Sequence, residues 1–401
     1  MEEDNNHLKI NFSERIYIMH IIVNKKVLLE NLLPAMGTVS TKNTITTIEG
    51  VLIETIGGTT VRLSTYDMNK GIRVTFEALE VIREGSYILN AQRFLQIVKL
   101  LGGDEISIEI DEKFNGTISS ETSSFSMYAL RGEDFPTLPE LSGRRGFAVS
   151  SAILKNKINR VIHSVSEMDN RPMLCGVFFK IEGREMQMVS CDGYTLSICR
   201  VNCDIEDIGE EKADRFSFIL PGTALGELTK ILSDKEGKIH VMLARKHAVI
   251  KIDRMIFFTR MIDSEYIDYQ RLIPQNQTIS VTLDRERLLE GLERANLIAD
   301  EKIQGSSRSY VKVTVAGNKV LLSSTSVNGR VNDEMDCTHE GDDLTIGFNC
   351  RYFMNNIRAA EGEKITIRMQ GATQSITIVP AEEKENESFF YMLLPVRMTE
   401  S

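Results

Sequence analysis

The stretch Tyr87-Ile-Leu-Asn-Ala-Gln-Arg-Phe-Leu-Gln-Ile-Val-Lys99 leads from a strand pattern into an amphipathic helix, and two related stretches follow it along the chain. The second is Phe218-Ile-Leu-Pro-Gly-Thr-Ala-Leu-Gly-Glu-Leu-Thr-Lys230 and the third is Ile346-Gly-Phe-Asn-Cys-Arg-Tyr-Phe-Met-Asn-Asn-Ile-Arg358. The spacing is roughly 130 residues, which is too long for a solenoid repeat and suits a whole domain. The sequence therefore predicts three tandem copies of one domain.

The same kinds of secondary-structure element surround each of the three stretches. A β-patterned opening and an apolar helix recur at Ile21–Met36, Phe147–Val165 and Ile279–Ile298. Segments such as Ile106-Ser-Ile-Glu-Ile-Asp and Lys364-Ile-Thr-Ile-Arg alternate apolar and polar residues, which indicates antiparallel sheets with one buried face. We therefore predict an α+β fold in which each domain carries two helices on one side of antiparallel sheet.

Polar segments rich in turn residues mark the predicted domain boundaries. They lie at 141–145 and 274–278 and divide the chain into domains at 19–143, 144–276 and 277–401. Residues 1–18 are polar and mixed in charge, without the apolar core of a signal peptide. We expect them to be an extension, with Met19 a candidate start of the first domain.

The distribution of charge differs from the total. The chain of 401 residues carries a net charge of −10, yet Ala91–Leu101 carries +2, Ser150–Ser166 carries +3 and Asn349–Ala360 carries +2. The other predicted helices are close to neutral. Positive helices in an acidic protein suggest two electrostatic faces. The alternative interpretation is that Lys and Arg are good helix formers on solvated surfaces.

Motifs for catalysis or for cofactor binding are not found. The sequence contains no P-loop, dinucleotide glycine fingerprint, nucleophile elbow or H-E-x-x-H, and no apolar run long enough to span a bilayer. The six cysteines form no C-x-x-C pair, which favours buried, reduced thiols in a cytoplasmic protein. Asp67 and Asp192 occupy related places and are interpreted as structural turns. We expect no enzyme, cofactor or metal site.

Several segments resemble the bacterial sliding clamps, the beta subunits of the replicative DNA polymerase (DNA polymerase III). The similarity runs from Met19 to Met398 and is carried by the following segments: Asp134-Phe-Pro-x-Leu, Cys191-Asp-Gly-Tyr-Thr-Leu, Asp268-Tyr-Gln-Arg-Leu-Ile-Pro, Ile346-Gly-Phe-Asn and Tyr391-Met-Leu-Leu-Pro-Val-Arg-Met. Each segment alone is a weak match. Together, in order and at repeat boundaries or cores, they are specific.

The resemblance implies a head-to-tail homodimer whose six domains close into a ring around duplex DNA. Twelve helices would line the hole, and the protein would act as a non-catalytic processivity factor in DNA replication. A sliding ring must hold DNA through phosphate contacts, since base contacts would stop it from moving. Two alternatives stay open: an interaction scaffold of the same fold that does not encircle DNA, and an enzyme with an unrecognised cleft.

The resemblance also implies sites for DNA and for the second subunit. The expected DNA-binding residues are Lys42, Arg93, Lys99, Lys155, Lys157, Arg160, Arg171, Arg351 and Arg358. The expected dimer contact joins Phe125 and Met127 of one subunit to Leu297 and Ile298 of the other. The alternative is that these four side chains belong to the cores of their own domains.

A third implied site is a pocket that takes short, mostly apolar peptides from the polymerase, the clamp loader and repair proteins. The matching positions are Leu174, Gly193, Tyr194, Thr195, Leu196, Ile267, Arg271, Leu272, Thr373, Ser375, Met392, Leu393, Leu394, Pro395, Val396, Arg397 and Met398. The chain departs from the family at Gly193-Tyr-Thr-Leu, where Gly-His-Arg-Leu is usual, and at Ile267, which replaces a proline. Tyrosines that usually follow Arg171 are Pro172 and Met173 here. We therefore expect the pocket to persist with altered polar contacts.

Overall fold

The computed structural model describes residues 17–40, 46–121, 123–210, 215–235, 237–299, 310–326 and 329–398. Across these residues one order of elements occurs three times: a strand, a helix, five strands, a helix and three strands. This order confirms the predicted α+β class and the three copies of one domain. Among the described helices, none is both long enough and apolar enough to cross a membrane.

The elements of the three copies correspond one to one. The first copy contains β1 (Tyr17–Asn24), α1 (Lys25–Ala35), β2 (Gly50–Thr55), β3 (Thr60–Tyr66), β4 (Lys70–Glu77), β5 (Glu80–Arg83), β6 (Ser86–Asn90), α2 (Ala91–Leu100), β7 (Glu105–Asp111), β8 (Asn115–Ser120) and β9 (Ser123–Arg131). The second contains β10 (Arg145–Ser150), α3 (Ser151–Val161), β11 (Gly176–Glu182), β12 (Glu185–Cys191), β13 (Thr195–Asn202), β14 (Glu206–Asp207), β15 (Arg215–Pro221), α4 (Gly222–Ile231), β16 (Lys238–Leu243), β17 (His247–Ile252) and β18 (Met255–Arg260). The third contains β19 (Ile279–Asp284), α5 (Arg285–Ala299), β20 (Val311–Ala316), β21 (Lys319–Ser326), β22 (Gly329–Asp336), β23 (Thr338–Glu340), β24 (Leu344–Phe348), α6 (Cys350–Ala359), β25 (Lys364–Met369), β26 (Ile376–Pro380) and β27 (Glu387–Leu393).

The repeated stretches that opened the sequence form the strand and helix pairs β6–α2, β15–α4 and β24–α6. Asparagine caps the helix in two of them, because Asn90 Oδ1 accepts from the Arg93 amide at 3.1 Å and Asn349 Oδ1 accepts from the Arg351 amide at 3.1 Å. One apolar residue in each helix is fully buried at the same repeat position: Phe94, Leu225 and Phe353. The periodicity therefore identifies the side of each helix that faces its core.

The chain divides into two compact units, and the first consists of Met1–Leu141 together with Val249–Thr259. In this unit β4, β3, β2 and β6 pair in that order, and β9, β8, β7, β1 and β5 pair in that order. β18 extends the unit by pairing antiparallel with β4, so that Met255 lies opposite Val74 and Phe258 opposite Gly71. Helices α1 and α2 pack together in the same unit.

The second unit consists of Ser142–Ala248 and Arg260–Ser401. Its largest sheet has the order β15-β11-β12-β13-β27-β26-β25-β19-β23, and a separate sheet has the order β22-β21-β20-β24. The nine-stranded sheet crosses from the second copy into the third at β13 and β27, which pair antiparallel. Helix α3 packs against both α4 and α6, and α5 packs against α6.

Candidate functional site

The second and third copies meet along a joint, here called the seam, that is formed by α3 and β13 on one side and by α6 and β27 on the other. Its backbone pairing begins with Thr195 opposite Leu393 and ends with Val201 opposite Glu387. The two ends of the seam carry different chemistry. The end near Thr195 is apolar and aromatic, whereas the end near Glu387 is charged.

The apolar end contains much of the expected peptide pocket. Leu174, Leu196 and Met392 belong to one buried cluster, which half-buried Ile267 covers. The same cluster includes residues that the sequence did not indicate, namely Val189, Cys191, Ile198, Met173, Phe178, Tyr266, Tyr269, Ile273 and Phe390. Phe178 and Tyr266 are stacked with ring centroids 5.1 Å apart. The floor of this site is therefore apolar and closely packed.

Three large apolar side chains that lie close in sequence to members of this cluster are exposed, and they are here called the rim. Tyr194 is 51% exposed, and Leu272 and Leu394 are also exposed. The ring of Tyr194 is stacked on Tyr352 with centroids 5.6 Å apart and an interplanar angle of 21°. Because Tyr194 follows β12 and Tyr352 lies in the first turn of α6, this aromatic pair crosses the seam.

A tight turn at Asp192-Gly193 decides which way the next two side chains point. The Asp192 carboxylate accepts from the amides of Tyr194 at 2.8 Å and Thr195 at 2.7 Å, and Gly193 has a φ of +90°. Asp67 accepts from the amides of Asn69 and Lys70 in the same way, which confirms that both aspartates are structural. Thr195 is buried, and its hydroxyl donates to Ser164 Oγ at 2.8 Å. It therefore lies inside the domain, away from the exposed rim.

The C-terminal segment passes from the core to the rim. Leu393 is fully buried in the core of the third copy. The Leu394 amide donates to the Tyr194 carbonyl at 2.9 Å, and the Val396 amide donates to the Gly347 carbonyl at 2.8 Å. Met398 packs against Gly347, where a side chain would collide with it. Pro395 is half-buried and Arg397 is exposed. Residues 394–398 are therefore held as a wall of the site.

The remaining expected pocket residues are polar. The Arg271 guanidinium lies 2.8 Å from Asp268 and is almost fully exposed. Arg171, expected at DNA, forms two hydrogen bonds of 3.0 Å with Asp169 and lies beside Gly193 at the rim. Thr373 is exposed, and the carbonyl of half-buried Ser375 accepts from Gln277 at 3.2 Å.

The middle of the seam contains a polar pair, His163 and the buried Asn356, that the sequence reasoning missed. His163 Nε2 lies 2.7 Å from Asn356 Oδ1 and 3.2 Å from Ser197 Oγ, while its Nδ1 is buried without a hydrogen-bond partner. Burial lowers the pKa of His163 from 6.5 to about 4, although the bond to Asn356 opposes this change. The imidazole is therefore neutral near pH 7. The sequence held one indication of this pair, because Asn356 is a polar residue on the apolar face of α6.

The charged end of the seam holds two cations that the sequence assigned to DNA. The Lys157 ammonium is only 6% exposed and bonds the Glu387 carboxylate, and the Arg160 guanidinium bonds Glu361. Arg160 also donates to the Ala359 carbonyl at 2.5 Å. Burial alone would raise the pKa of Glu387, but hydrogen bonds from Lys157 and Lys384 outweigh it and lower the pKa to about 2. Both cations therefore join the domains and are not free to meet phosphates.

A cleft of about 340 Å³ opens at this charged end, and Cys199 lies in its lining. Burial raises the pKa of the Cys199 thiol to about 11, while Glu387 stays an ion-paired carboxylate. A protonated thiol is a poor nucleophile and a carboxylate of such low pKa is a poor base. Among the described residues, no group of three or more His, Cys, Asp and Glu side chains is arranged to hold a metal ion. The six cysteines are free thiols.

The other expected DNA-binding cations lie on helices at more open positions. Arg93 and Lys99 on α2 are exposed, as are Arg351 and Arg358 on α6. Arg358 pairs with Glu293 at 2.9 Å, and Lys155 on α3 pairs with the exposed Asp234 at 2.8 Å. Lys42 lies outside the described residues.

The expected dimer residues divide into exposed and buried members. Phe125 on β9 is 37% exposed, whereas Met127 is 7% exposed and belongs to the core of its own domain. Leu297 near the end of α5 is 75% exposed, and Ile298 is half-buried beside Gly329 at the start of β22. Phe125 and Leu297 are therefore the pair that a second subunit could contact most extensively.

Comparison with known proteins gives matches to all three copies. Residues 19–139 match the N-terminal domain, 148–268 the central domain and 270–397 the C-terminal domain of the DNA polymerase III beta subunit. The beta sliding clamps of Staphylococcus aureus and Staphylococcus epidermidis are each 27% identical over 389 residues, covering 95% of this chain and 100% of theirs.

Solved structures show the same similarity. The DNA polymerase sliding clamp of Bacillus subtilis is 25% identical with a TM-score of 0.86. The DNA polymerase III beta chain of Streptococcus pneumoniae is 26% identical with a TM-score of 0.85. In both comparisons 95% of this chain and 100% of the other chain are covered.

Proposed function

Since the chain belongs to the DNA polymerase III beta subunit family, the sliding clamps of DNA replication, we propose that two copies of it close into a ring around duplex DNA and tether the replicative polymerase. The ring would act as a processivity factor without catalysis. The ring would comprise six domains, three from each subunit. Each subunit would divide into domains at 19–143, 144–276 and 277–401. A cytoplasmic location belongs to the same proposal.

The proposed ring is supported by one kind of strand pairing, which occurs twice between neighbouring domain copies. The third strand of the five-strand run in one copy pairs with the last strand of the next copy, first as β4 with β18 and then as β13 with β27. The equivalent strands that remain are β22 and β9. β22 is at the end of its sheet, and residues 123–128 of β9 pair with β8 alone among the described strands. We infer that β22 of one subunit pairs with β9 of the other.

Such a contact is head-to-tail and closes after two subunits, because a chain of three domains makes half of a six-domain ring. It would cover exposed Phe125 and Leu297 and would satisfy two open sheet edges, which are otherwise hazards for aggregation. Met127 supports β9 from inside its own domain. Ile298 supports the start of β22 in the same manner.

The proposed DNA surface consists of the exposed helix cations Arg93, Lys99, Arg351 and Arg358, together with the half-buried Lys155. Lys and Arg bind phosphates without regard to base sequence, and this is what a ring that slides requires. Lys157 and Arg160 are assigned to the seam, since their charges are already neutralised by glutamates. Arg171 is assigned to the rim of the pocket beside Gly193.

The proposed partners bind at the apolar end of the seam through short, mostly apolar peptides, and they include the polymerase, the clamp loader and repair proteins. The exposed side chains of Leu272 and Leu394 and the ring of Tyr194 offer contact surface above an apolar floor. The family's cation is missing at Thr195. The nearby cations Arg171 and Arg271 supply the polar contacts in its place.

The decisive experiment is retention on nicked circular DNA after loading by a clamp loader. We expect the protein to stay on circles through gel filtration and to leave when a restriction enzyme linearises the DNA, because only the topology holds it. An interaction scaffold of the same fold would not be retained on either form. Retention that survives linearisation would indicate ordinary DNA binding and would contradict the ring.

A further inference from the structure

Two corresponding sheets of the molecule carry a row of side chains at the same place, with different chemistry. The first row consists of residues that pair across β2, β3, β4 and β18, namely Leu52, Ser64, Arg73 and Ile256. The second row consists of residues that pair across β11, β12, β13 and β27, namely Phe178, Val189, Ile198 and Phe390. Ser64 and Val189 each stand three residues before the turn aspartate of their copy, so the two rows correspond.

The second row belongs to the proposed peptide pocket. All four of its side chains are members of the apolar cluster at that end of the seam or pack against it. The first row keeps apolar residues at its two ends, but its centre is a hydroxyl and a guanidinium. The same strand framework therefore offers an apolar surface in one copy and a polar, cationic surface in the other.

The centre of the first row has unsatisfied hydrogen-bonding groups. Ser64 is fully buried, and neither its Oγ nor the buried Nε of Arg73 has a hydrogen-bond partner among the residues that the structure describes. Burial and the nearby Arg62 lower the pKa of Arg73, while Glu54 opposes this change. An arginine stays charged at neutral pH, so the row holds an uncompensated cation beside an unsatisfied hydroxyl.

The residues next to the first row add positive charge. Arg62 lies opposite Thr75 on β4, and the Thr75 amide donates to the Arg254 carbonyl at 3.3 Å. Glu54 accepts from Arg62 Nε at 2.9 Å. Three arginines thus surround this part of the sheet together with one carboxylate, which favours an anionic partner.

The first row lies on the face of the sheet that points away from the helices. On β3 the Thr65 hydroxyl donates to the Ala35 carbonyl at the end of α1, at 3.0 Å. Successive side chains of a strand point to opposite faces, so Ser64 points away from α1. The proposed DNA surface is formed by helix cations, and the first row is therefore directed at a protein partner.

We propose that the first row binds an acidic peptide, whose carboxylate accepts from the Arg73 guanidinium and the Ser64 hydroxyl while its apolar residues contact Ile256. A guanidinium binds a carboxylate through two parallel hydrogen bonds, and the carboxylate satisfies donors that otherwise lack partners. All of these residues belong to one compact unit of a single subunit, so the site does not depend on ring closure. The chain would then have two partner sites of opposite selectivity, one for apolar and one for acidic peptides.

A fluorescein-labelled hexapeptide of alternating Glu and Leu is a direct probe, with fluorescence anisotropy as the measurement. We expect the probe to bind the full-length protein and to bind more weakly as salt is raised, because ions screen the charges. The same peptide with Gln in place of Glu is the control and should not bind. Absence of binding by the Glu peptide at millimolar concentration would overturn the proposal.

Variants locate the probe on the first row. Ser64→Val combined with Arg73→Ile introduces the residues of the second row, and we expect affinity to fall by about ten- to hundredfold. Arg73→Lys keeps the charge without the two-pronged donor and should bind with intermediate affinity, which tests the site even if the double variant folds poorly. Arg215→Gln removes an exposed cation on β15 and should change nothing. Unchanged affinity in both row variants would overturn the assignment.

Competition distinguishes this site from the two surfaces proposed above. An unlabelled polymerase-derived apolar peptide should leave the probe bound, and displacement would place the acidic peptide in the apolar pocket and contradict the first row. A duplex oligonucleotide should also leave the probe bound, and displacement would show that these arginines bind phosphates. Loss of retention on circular DNA would contradict the ring and would leave binding of the probe unaffected.

Discussion

The Lys157 ammonium on α3 hydrogen-bonds the Glu387 carboxylate at the start of β27, so a residue expected to meet DNA instead joins two domains. The ammonium is nearly buried, which makes its partner necessary. The carboxylate is also bonded by Lys384 at 2.7 Å, a cation at the surface. The Glu387 carboxylate therefore binds two cations, of which Lys157 is buried and Lys384 is exposed.

Replacing Glu387 by Gln should destabilise the second unit by about 3 kcal/mol, because the buried Lys157 ammonium then lacks a counter-charge. Combining Glu387→Gln with Lys157→Met should restore most of this loss, since the buried charge is removed. Lys384→Ala is the matched control and should cost less than about 1 kcal/mol, as exposed ion pairs contribute little. Denaturant unfolding measures the free energy of unfolding of all three variants. Equal losses in the single and double variants would contradict the assignment.

His163 should make stability depend on pH below neutrality. Its pKa is lowered to about 4 in the folded protein, while an exposed histidine titrates near 6.5. Between these values the unfolded chain binds a proton that the folded chain does not, so the free energy of unfolding falls as pH drops from 6.5 to 4. The loss approaches about 3 kcal/mol below pH 4 and is absent above pH 6.5.

His163→Gln is the variant that isolates this effect, because a glutamine side chain can still donate to Asn356 and does not titrate. The difference in unfolding free energy between the two proteins should shrink or reverse as pH falls through this window. Carboxylates that titrate in the same range are common to both proteins and cancel in the comparison. A difference that does not vary with pH would show that His163 is not buried in its neutral form.

Leu297→Lys should convert the proposed dimer into monomers without loss of secondary structure. The side chain is 75% exposed in the single chain, so the change is harmless there, but in a dimer it would desolvate an unpaired ammonium at a cost of several kcal/mol. Met168→Lys is the matched control, as Met168 is 91% exposed and lies on neither of the open edges. Sedimentation velocity distinguishes the two states. A Leu297→Lys protein that stays dimeric would refute the β22–β9 contact.

Replacing Arg93 and Lys99 together by Glu should lower retention on DNA and flatten its dependence on salt, whatever the DNA sequence. Both cations on α2 are exposed. When they bind DNA phosphates, the counterions that surround the DNA are released. The Lys157→Met and Glu387→Gln double variant should leave retention unchanged. Loss that varies with DNA sequence would indicate base recognition and exclude a freely sliding ring.

The repeats and the fold class could be predicted because each depends on local periodicity or on short segments. Phe94, Leu225 and Phe353 recur at one position of the repeat, and their burial follows from that recurrence. The turns at Asp67 and Asp192 were predictable for the same reason, since an aspartate that accepts from the following amides is a local structure.

The seam could not be predicted, because its contacts join residues that are far apart in sequence. Lys157 and Glu387 are 230 positions apart, and the stacked rings of Tyr194 and Tyr352 come from different domains. The sequence pattern of α3 shows only that Lys157 is one of several charged residues on a helix. It does not show that the Glu387 carboxylate of another domain pairs with it. Thr195 was expected among the pocket residues, and the direction of its hydroxyl, which donates to Ser164, depends on a contact with another segment of the chain.

The pairing of β13 with β27 also has a consequence for biosynthesis. A ribosome adds roughly 5–20 residues per second, so β13 waits roughly 10–40 seconds for a partner strand that lies much later in the chain. During that time an apolar strand edge is open, which calls for protection by chaperones. Unfinished chains lack β27 and residues 394–398, so under the proposed function they would be unable to compete with complete rings for the polymerase.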